Sequence, residues 1–389
     1  MEIRASVSTA DDSTKAAIEL CEAVAGEAPD LAILYVSPHH GPDYGEFVGR
    51  IRDALNPRNL IGCTCQSVIG PGQEVEEGPG AALWTACMPG VRAFPFVLDQ
   101  NDFMTLTTVG DLHDRLGVKP EDIPTFIILP DPFSLQFNAC LRIMDEVFPG
   151  STIVGGVTSA ARVPGRNRLF VNDQVLRLGM VGVSLTGDFW VSTIVSQGCR
   201  PIGTPFVITK AEANIIFELG GRDAYSVLRD LHDQSSASDQ ALIRSGLHIG
   251  RAIDEHLEQF GPGDFLVRNV AGVVESKGLA VTDYLRAGQT VQFHVRDAES
   301  ADSEMRALLA SKLAKMARPP VGGLLFNCNA RGAEMFGRPN HDIGLISEMI
   351  PNCPVAGFFA AGEIGPVGGR TFVHGFTSSL ILFHEAQAE

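Results

Sequence analysis

The fold of this chain is decided by one pattern that occurs three times, in LIGCTCQSVIGPG (60–72), IVGGVTSAARVPG (153–165) and VAGFFAAGEIGPVGG (355–369). In each stretch, a glycine that follows an apolar run is followed nine positions later by a proline. The pairs are Gly62 and Pro71, Gly155 and Pro164, and Gly357 and Pro366. A spacing that recurs three times indicates one structural unit used three times.

The residues around each copy predict the rest of the unit. An apolar run too short for a helix precedes each glycine, in LAILYVSP (31–38), TFIILPDP (125–132) and VGGLLFNCN (321–329). Segments with helical spacing of apolar residues stand before and after each run. The closing strands are expected in AALWTACM (81–88), LGMVGVSL (178–185) and SSLILFH (378–384). The repeated order of helix, strand, helix, strand, glycine loop and strand predicts an α/β (mixed α+β) fold, with helices outside the sheets.

The stretch from Asp188 to Ala301 does not follow this pattern. We expect a mixture of strands and helices there, including a helix over residues 241–260. The glycine doublet Gly220-Gly221 is the predicted domain boundary. The chain is therefore divided into an N-terminal helix leading into the first unit (1–27), a first domain (28–220) and a second domain (221–389).

Composition excludes several classes of function. The chain has 30 basic and 46 acidic residues, a net charge of −16, which disfavours nucleic acid as a partner. No apolar run reaches the roughly 18 residues of a membrane-spanning helix, and the start MEIRASVSTADD lacks the features of a secretory signal. The eight cysteines include no CxxC pair, so we expect reduced thiols in the cytoplasm and no metal site.

The segment CNARG follows the apolar strand of the third unit, at the strand end where open α/β sheets place ligands. Its arginine matches a carboxylate or phosphate in a bidentate way, and its last glycine permits a close backbone approach. Together with the preceding asparagine, this segment supplies five candidate ligand-binding residues, Asn327, Cys328, Asn329, Arg331 and Gly332. The alternative is a helix-capping turn whose arginine pairs with a structural carboxylate, and the sequence leaves both open.

The segment GEIGP adds Gly362 and Glu363 to the candidate ligand-binding residues. The matching positions in the first and second copies are taken as Val68 and Ala161. A charge in one copy of an otherwise apolar repeat indicates either a pair with a cation such as Arg331 or a contact with the ammonium or hydroxyl group of a ligand. Two residues that follow in sequence are expected to line the same cavity, namely Arg370 and His374.

No cofactor and no catalytic residue are predicted. The glycine-rich segment 69–80 lacks the lysine of a P-loop, and no GxGxxG fingerprint is placed between a strand and a helix. One enzymatic alternative stays open, because Cys328 and Cys63 both stand at or near the end of apolar strands and a nearby base would activate either thiol. A protein-interaction scaffold without a ligand is the other alternative.

The motifs together resemble the FIST family, whose name refers to F-box and intracellular signal transduction proteins. In the first half the resemblance rests on LAILYVSP and LIGCTCQSVIGPG. In the second half it rests on GGRDAYSVL (220–228), LLFNCNARG (324–332), PVAGFFAAGEIGPVGG (354–369) and FVHGFTSSL (372–380). The resemblance divides the chain into FIST N-like and FIST C-like halves.

This resemblance implies a sensory module that binds small molecules, amino acids or other small carboxylates among them, on behalf of signalling proteins. Many members carry an attached output domain. Since both halves of the family pattern fill this chain, we expect a stand-alone sensory protein whose signalling partner is supplied in trans.

Overall fold

The computed structural model describes residues 1–105, 109–257, 259–261 and 263–386. Residue 258 of the predicted helix and residues 387–389 of the predicted second domain lie outside this range. The helices are α1 (Ser13–Ala23), α2 (Tyr44–Leu55), α3 (Gln100–Thr105), α4 (Val109–Leu116), α5 (Phe137–Val147), α6 (Ala224–Gln234), α7 (Ala237–Ser245), α8 (Ala298–Leu313), α9 (Ala333–Phe336) and α10 (His341–Met349).

The strands of the first half are β1 (Glu2–Ser8), β2 (Leu31–Val36), β3 (Asn59–Thr64), β4 (Val68–Gly70), β5 (Gln73–Val75), β6 (Ala81–Cys87), β7 (Val91–Leu98), β8 (Thr125–Pro130), β9 (Thr152–Gly156), β10 (Leu169–Val171), β11 (Gln174–Leu176), β12 (Met180–Gly187) and β13 (Phe189–Gln197). Those of the second half are β14 (Cys199–Glu212), β15 (Ile215–Leu219), β16 (Arg222–Asp223), β17 (Leu247–Ala252), β18 (Phe265–Val274), β19 (Gly278–Val281), β20 (Thr290–Arg296), β21 (Gly322–Cys328), β22 (Val355–Ala360), β23 (Glu363–Val367), β24 (Arg370–His374) and β25 (Thr377–Glu385). The predicted mixed α/β class is confirmed.

Three six-stranded sheets have the same plan, and each contains one copy of the repeat. Their strand orders are β1-β6-β2-β3-β10-β11, β7-β12-β8-β9-β23-β24 and β13-β25-β21-β22-β4-β5. In each sheet the central strand pairs in parallel with the glycine-bearing strand and antiparallel with the closing strand. The helices lie outside the sheets, where α1 and α2 cover the first sheet and α4 and α5 the second.

The inner faces of the three sheets share one apolar core. Equivalent positions of β2, β8 and β21 place Tyr35, Leu129 and Phe326 in it, and all three side chains are buried. Because a unit with only one covered face would leave this surface in water, the three copies stabilise one another.

The last two strands of each sheet come from a different copy of the repeat. The β4–β5 hairpin of the first copy pairs with β22 of the third. Strand β10 of the second copy pairs with β3 of the first, and β23 of the third pairs with β9 of the second. The exchange is therefore cyclic, and every sheet is completed by another copy.

The repeated glycine is explained by a close approach between backbones. A Cβ atom at this position would lie 2.1 Å from the nearest atom at Gly62, 1.9 Å at Gly155 and 1.7 Å at Gly357. In each copy that atom is the carbonyl oxygen of the residue opposite in the parallel strand. No side chain fits at these distances, so only glycine is tolerated.

The expected match of Ala161 with Glu363 is wrong. In the exchanged strands, Glu363 pairs with Gly156, the residue that follows the repeated glycine Gly155. The residues that pair at the same position in the other two sheets are Val68 from the first copy and Leu169 from the second. The second copy has a longer loop before its exchanged strand, so its Gly-to-Pro spacing places Pro164 in that loop. The corrected match still places one acid, Glu363, where the other two copies have the apolar residues Val68 and Leu169.

The chain forms two compact units. The first consists of Met1–Val195, Arg306–Val373 and Thr377–Glu389, and the second of Ser196–Met305 and His374–Phe376. The second unit contains the sheet β14-β20-β17-β18-β19-β15-β16 with helices α6 and α7. It is formed mainly by the stretch that departs from the repeat pattern. The doublet Gly220-Gly221 is the turn between β15 and β16 within this unit, and residues 1–27 contain strand β1 as well as the expected helix.

The predicted helix over residues 241–260 is wrong. Helix α7 ends at Ser245, and β17 follows it, bonded on one side to β18 and on the other to β20. In β17, pairing on both edges outweighs the local helical pattern, because it satisfies the backbone groups of the strand. Among the described residues, no helix has the length and apolar character needed to cross a membrane.

Candidate functional site

The candidate site begins where β21 ends. Cys328 is the last residue of this strand, and residues 329–332 connect it to the short helix α9. The backbone N–H of Asn329 donates to the carbonyl oxygen of Ala360 at 3.0 Å, which ties the connection to the end of β22. The CNARG segment is therefore held at the carboxyl ends of two parallel strands.

Arg331 forms a buried ion pair with Asp342 of α10. Its Nε and Nη2 atoms lie 2.7 and 2.9 Å from the two carboxylate oxygens, and the pair is almost inaccessible to solvent. Asn327 donates its Nδ2 to the same carboxylate at 2.9 Å. Burial alone would raise the pKa of the Asp342 carboxyl. The charge and hydrogen bonds of Arg331, with a further bond from His341, lower it well below its ordinary value instead.

Two rings cover this ion pair. The imidazole of His341 stacks on Phe336 with ring centroids 3.5 Å apart, and the guanidinium of Arg331 lies 5.2 Å from the centroid of the same phenyl ring. The Nδ1 atom of His341 is 3.0 Å from Asp342 Oδ1. The bidentate face of Arg331 is thus occupied by a carboxylate of the chain itself, the arrangement that the capping alternative predicts.

Both carboxyl oxygens of Asp342 accept hydrogen bonds, whereas only one carboxyl oxygen of Glu363 accepts them, in both cases from Thr377. Its Oε2 accepts from the Thr377 N–H at 3.1 Å and from the Thr377 hydroxyl at 2.7 Å. Its Oε1 is buried and has no hydrogen-bond partner among the described residues. Complete burial raises the pKa of Glu363 to about 8, opposed by the bonds from Thr377, by the charge of Arg331 and by the nearby Cys328 thiol.

Asn329 provides a second acceptor of the same kind. Its Oδ1 is buried and has no partner in the described part of the chain, although the residue as a whole is partly exposed. Asn329 follows Cys328, whose thiol is near Glu363. Gly362 precedes Glu363, and its carbonyl oxygen accepts from the N–H of Val157 at 2.9 Å. The side-chain oxygens of Glu363 and Asn329 thus include two buried acceptors without a hydrogen-bond partner among the described residues.

Two acids from the first copy of the repeat hold the helices beside this site. Glu74 Oε1 accepts from the N–H of Ile343 at 3.0 Å, and both oxygens of Glu76 accept from the N–H of Ala333 at 2.9 Å. Carboxylates are favourable at helix N-termini, which have unpaired N–H groups. Burial, with the nearby Asp342 charge, raises the pKa of Glu74 to about 7.

The position of Gly332 follows from these caps. Its φ is 102°, and a Cβ atom there would lie 2.3 Å from the Glu76 carboxylate. Sequence reasoning considered the acidic segment QEVEEG only as a poor phosphate cradle and missed its capping role. No local pattern of the sequence indicates this role, because it depends on the exchange of hairpins between copies of the repeat.

The two remaining predicted site residues are on β24, the strand that follows β23. Arg370 is exposed at the start of β24, and His374 is buried at the end of the same strand and belongs to the second compact unit. The structure brings the predicted residues from Asn327 to Gly332 together with Gly362 and Glu363. Asp342, Thr377, Glu74 and Glu76 are the neighbours that the sequence did not identify.

Cys63, the other candidate nucleophile, lies inside the shared core of the three sheets. It is fully buried, and burial followed by the nearby Cys65 raises its pKa well above the ordinary value. A thiol must ionise to act as a nucleophile. Its surroundings therefore favour an inert structural thiol.

The family relationship can now be stated. The FIST N domain model matches residues 30–222 and the FIST C domain model residues 224–366. An uncharacterised protein of Mycobacterium tuberculosis is 41% identical over 388 residues, covering 98% of this chain and 100% of that protein. An uncharacterised protein of Mycobacterium bovis is 38% identical over 388 residues, covering 98% and 99%. An F-box/LRR-repeat protein of Arabidopsis thaliana is 35% identical over 85 residues, or 21% of this chain and 16% of that protein.

These matches cover nearly the whole chain and both halves of the family pattern, including the CNARG and GEIGP segments of the candidate site. The chain belongs to the FIST family.

Proposed function

We propose that this chain is a sensory protein of intracellular signal transduction that binds a small molecule at the carboxyl end of β21. FIST domains are associated with sensory roles in signal transduction. The observation that supports binding at this place is the buried Glu363 carboxyl, whose Oε1 has no donor among the described residues. A buried acceptor without a donor costs about 1–3 kcal/mol, and a ligand that donates a hydrogen bond removes this cost.

The chemistry of the site favours a ligand with an amine group. Glu363 Oε1 and Asn329 Oδ1 are both acceptors, so each is complemented by the N–H groups of an ammonium. Arg331, which was expected to meet a ligand carboxylate, already contacts Asp342 with two donors. Among the expected amino acids and small carboxylates, the proposal therefore favours amino acids and other small amines over acids without an amine.

A ligand amine also predicts the pH range of binding. An ammonium interacts best with an ionised carboxylate, and the pKa of Glu363 is raised to about 8 by burial. Binding of the cation thus requires Glu363 to release its proton. Affinity for an amine is expected to increase as the pH rises from 6.5 to 8.5, up to the point where the amine itself loses its charge.

A thermal-shift screen of amino acids, simple amines and organic acids at pH 6.5 and 8.5 tests the proposal. At least one amine is expected to raise Tm, more strongly at pH 8.5, because a ligand stabilises the state that binds it. The shift should vanish in Glu363→Gln and persist in Glu22→Gln, an equal charge change at an exposed position of α1. Failure of every compound to shift Tm, or an equal response of both variants, would overturn the proposal.

The proposal also includes a cellular compartment, the cytoplasm, and a signalling partner. All eight cysteines are free, as expected for a protein of the reducing cytoplasm. The signal would pass to a partner protein supplied in trans. Pull-down with the purified chain, with and without the amine found in the screen, should give a partner whose capture depends on that amine. Ligand-independent capture would instead support the scaffold alternative.

A further inference from the structure

A pocket lies at the amino end of β21, opposite to the strand end that carries Cys328. It has a volume of about 260 Å³ and is lined by Trp190, Arg318, Pro319, Val321, His384 and Glu385, among others. Val321 immediately precedes β21, whereas Cys328 ends it. At ~3.3 Å per residue the two sites are separated by roughly 20 Å of strand. This pocket is therefore independent of the Glu363 site.

A stacked pair of rings forms one wall. The indole of Trp190 and the imidazole of His384 are nearly parallel, with an interplanar angle of 6° and centroids 3.7 Å apart. Trp190 is 38% exposed, so part of its surface remains available to a ligand. The indole of an exposed tryptophan next to a proline and a valine is a typical surface for a flat ring.

The imidazole of His384 provides a fixed polar group in this wall. It is 2% exposed, and its Nε2 lies 3.0 Å from the Ser192 hydroxyl. Its Nδ1 is buried and has no hydrogen-bond partner among the described residues. Burial lowers the pKa of His384 to about 4, so the ring is neutral near pH 7. A buried ring nitrogen without a partner on a pocket wall is a position for a polar group of a ligand.

The charged groups at the pocket favour an anion. Glu385 and Arg318 both line it, but the Glu385 carboxylate is 2.7 Å from the amino group of Met1, which balances its charge. Arg318 is exposed, and its charge also acts on the nearby Glu385 carboxylate, so the Met1 amino group and Arg318 are two cations beside one carboxylate. The remaining positive charge favours an anion, and an exposed guanidinium can bind a carboxylate in a bidentate way.

We propose that this pocket binds small planar aromatic carboxylates, with the aromatic ring against Trp190 and the carboxylate paired with Arg318. A ligand of this kind matches the flat apolar wall, the exposed guanidinium and the modest volume. The Nδ1 atom of His384 bonds to a polar substituent or heteroatom of the ring. The chain thereby has two ligand sites of different chemistry, one for an amine and one for an aromatic anion.

Isothermal titration calorimetry with 1-naphthoate tests this proposal. Trp190→Ala should weaken binding about tenfold or more through loss of the ring contact, and Arg318→Gln about fivefold through loss of the charge. Arg162→Gln is the matched control, because Arg162 is exposed and outside the pocket, and it should bind as the wild type does. The uncharged 1-naphthamide and the saturated decahydro-1-naphthoate should both bind more weakly.

Two results would overturn the proposal. One is an absence of measurable heat with 1-naphthoate at millimolar concentration. The other is equal affinity in the wild type, Trp190→Ala and Arg318→Gln, which would place the probe elsewhere on the surface. Glu363→Gln is expected to leave naphthoate binding unchanged, so the result is separate from that of the amine screen.

Discussion

The carboxyl ends of β8 and β21 are equivalent positions in two copies of one unit. A buried carboxyl group lies near each, but the hydrogen bonding of the two carboxyl groups differs. After β8, both oxygens of Asp131 are used: Oδ1 accepts from Asn167 at 2.9 Å, and Oδ2 from the Ser134 hydroxyl at 2.7 Å. Beside β21, Glu363 is bonded through Oε2, whereas Oε1 has no partner among the described residues. The second copy uses its acid to hold the loop, and the third keeps an acceptor available.

The comparison shows that equivalent strand ends of one repeated unit can hold a buried carboxyl group in different ways. The repeat fixes the strands, the close-approach glycines and the shared core in every copy, so loops at the strand ends are free to differ. Within the part of the chain that the structure describes, only the third copy combines a buried ion pair, a thiol and a partly bonded acid at this place. Arg331 and Asp342 are paired with each other there, whereas Oε1 of Glu363 has no hydrogen-bond partner among the described residues.

The largest effect is expected from Arg331→Met. Removal of the arginine leaves the Asp342 charge buried without its partner, and breaking such a pair costs about 3–5 kcal/mol. Urea denaturation at pH 7, followed by circular dichroism, measures the loss. The double variant Arg331→Met/Asp342→Leu removes both charges and should recover most of it. A loss below about 1 kcal/mol in the single variant would show that Arg331 is not the structural support of the site.

Asp131→Ala should have the next largest effect, about 2–3 kcal/mol. It leaves the buried Asn167 amide and the Ser134 hydroxyl without their acceptor, and an unsatisfied buried donor costs about 1–3 kcal/mol. Asp131→Asn, which retains one carbonyl oxygen, should lose less. The same denaturation experiment measures both variants. If Asp131→Ala proved as stable as the wild type, the distinction drawn between the two strand ends would be wrong.

Glu363→Gln should have a small effect that depends on pH. Because burial raises the pKa of Glu363 from 4.5 to about 8, the folded chain retains a proton that the unfolded chain releases. This contribution to stability is complete below pH 4.5 and is lost as the pH rises toward 8. Glutamine does not titrate, so the variant should gain stability relative to the wild type between pH 5 and 8. Parallel pH profiles of the two proteins would contradict the raised pKa.

Much of this fold could be predicted from the sequence, because its main signals are local. Apolar runs, helical spacing and closing strands located the three units, and the repeated glycines marked the close backbone approaches seen at Gly62, Gly155 and Gly357. The helix predicted over residues 241–260 failed because β17 is stabilised by partners distant in sequence. A local pattern does not contain that pairing.

The candidate site was only partly predictable for the same reason. Its residues from CNARG and GEIGP carry unusual polar groups in an apolar repeat, which a sequence displays directly. The partners of those groups do not stand out: Asp342 lies on the following helix, and Glu74 and Glu76 arrive through a hairpin exchanged from the first copy. The role of Arg331 therefore could not be decided until its carboxylate was identified.

The smallest effect is expected from Arg370→Gln, which tests the limit of the site. Sequence reasoning placed Arg370 in the ligand cavity, but its side chain is exposed at the start of β24. Exposed substitutions usually change the free energy of unfolding by less than about 0.5 kcal/mol. The variant should match the wild type in urea denaturation and in its thermal response to amines. A reduced amine response with unchanged stability would extend the binding site to β24, and the available acceptor of the third copy would then be one part of a larger surface.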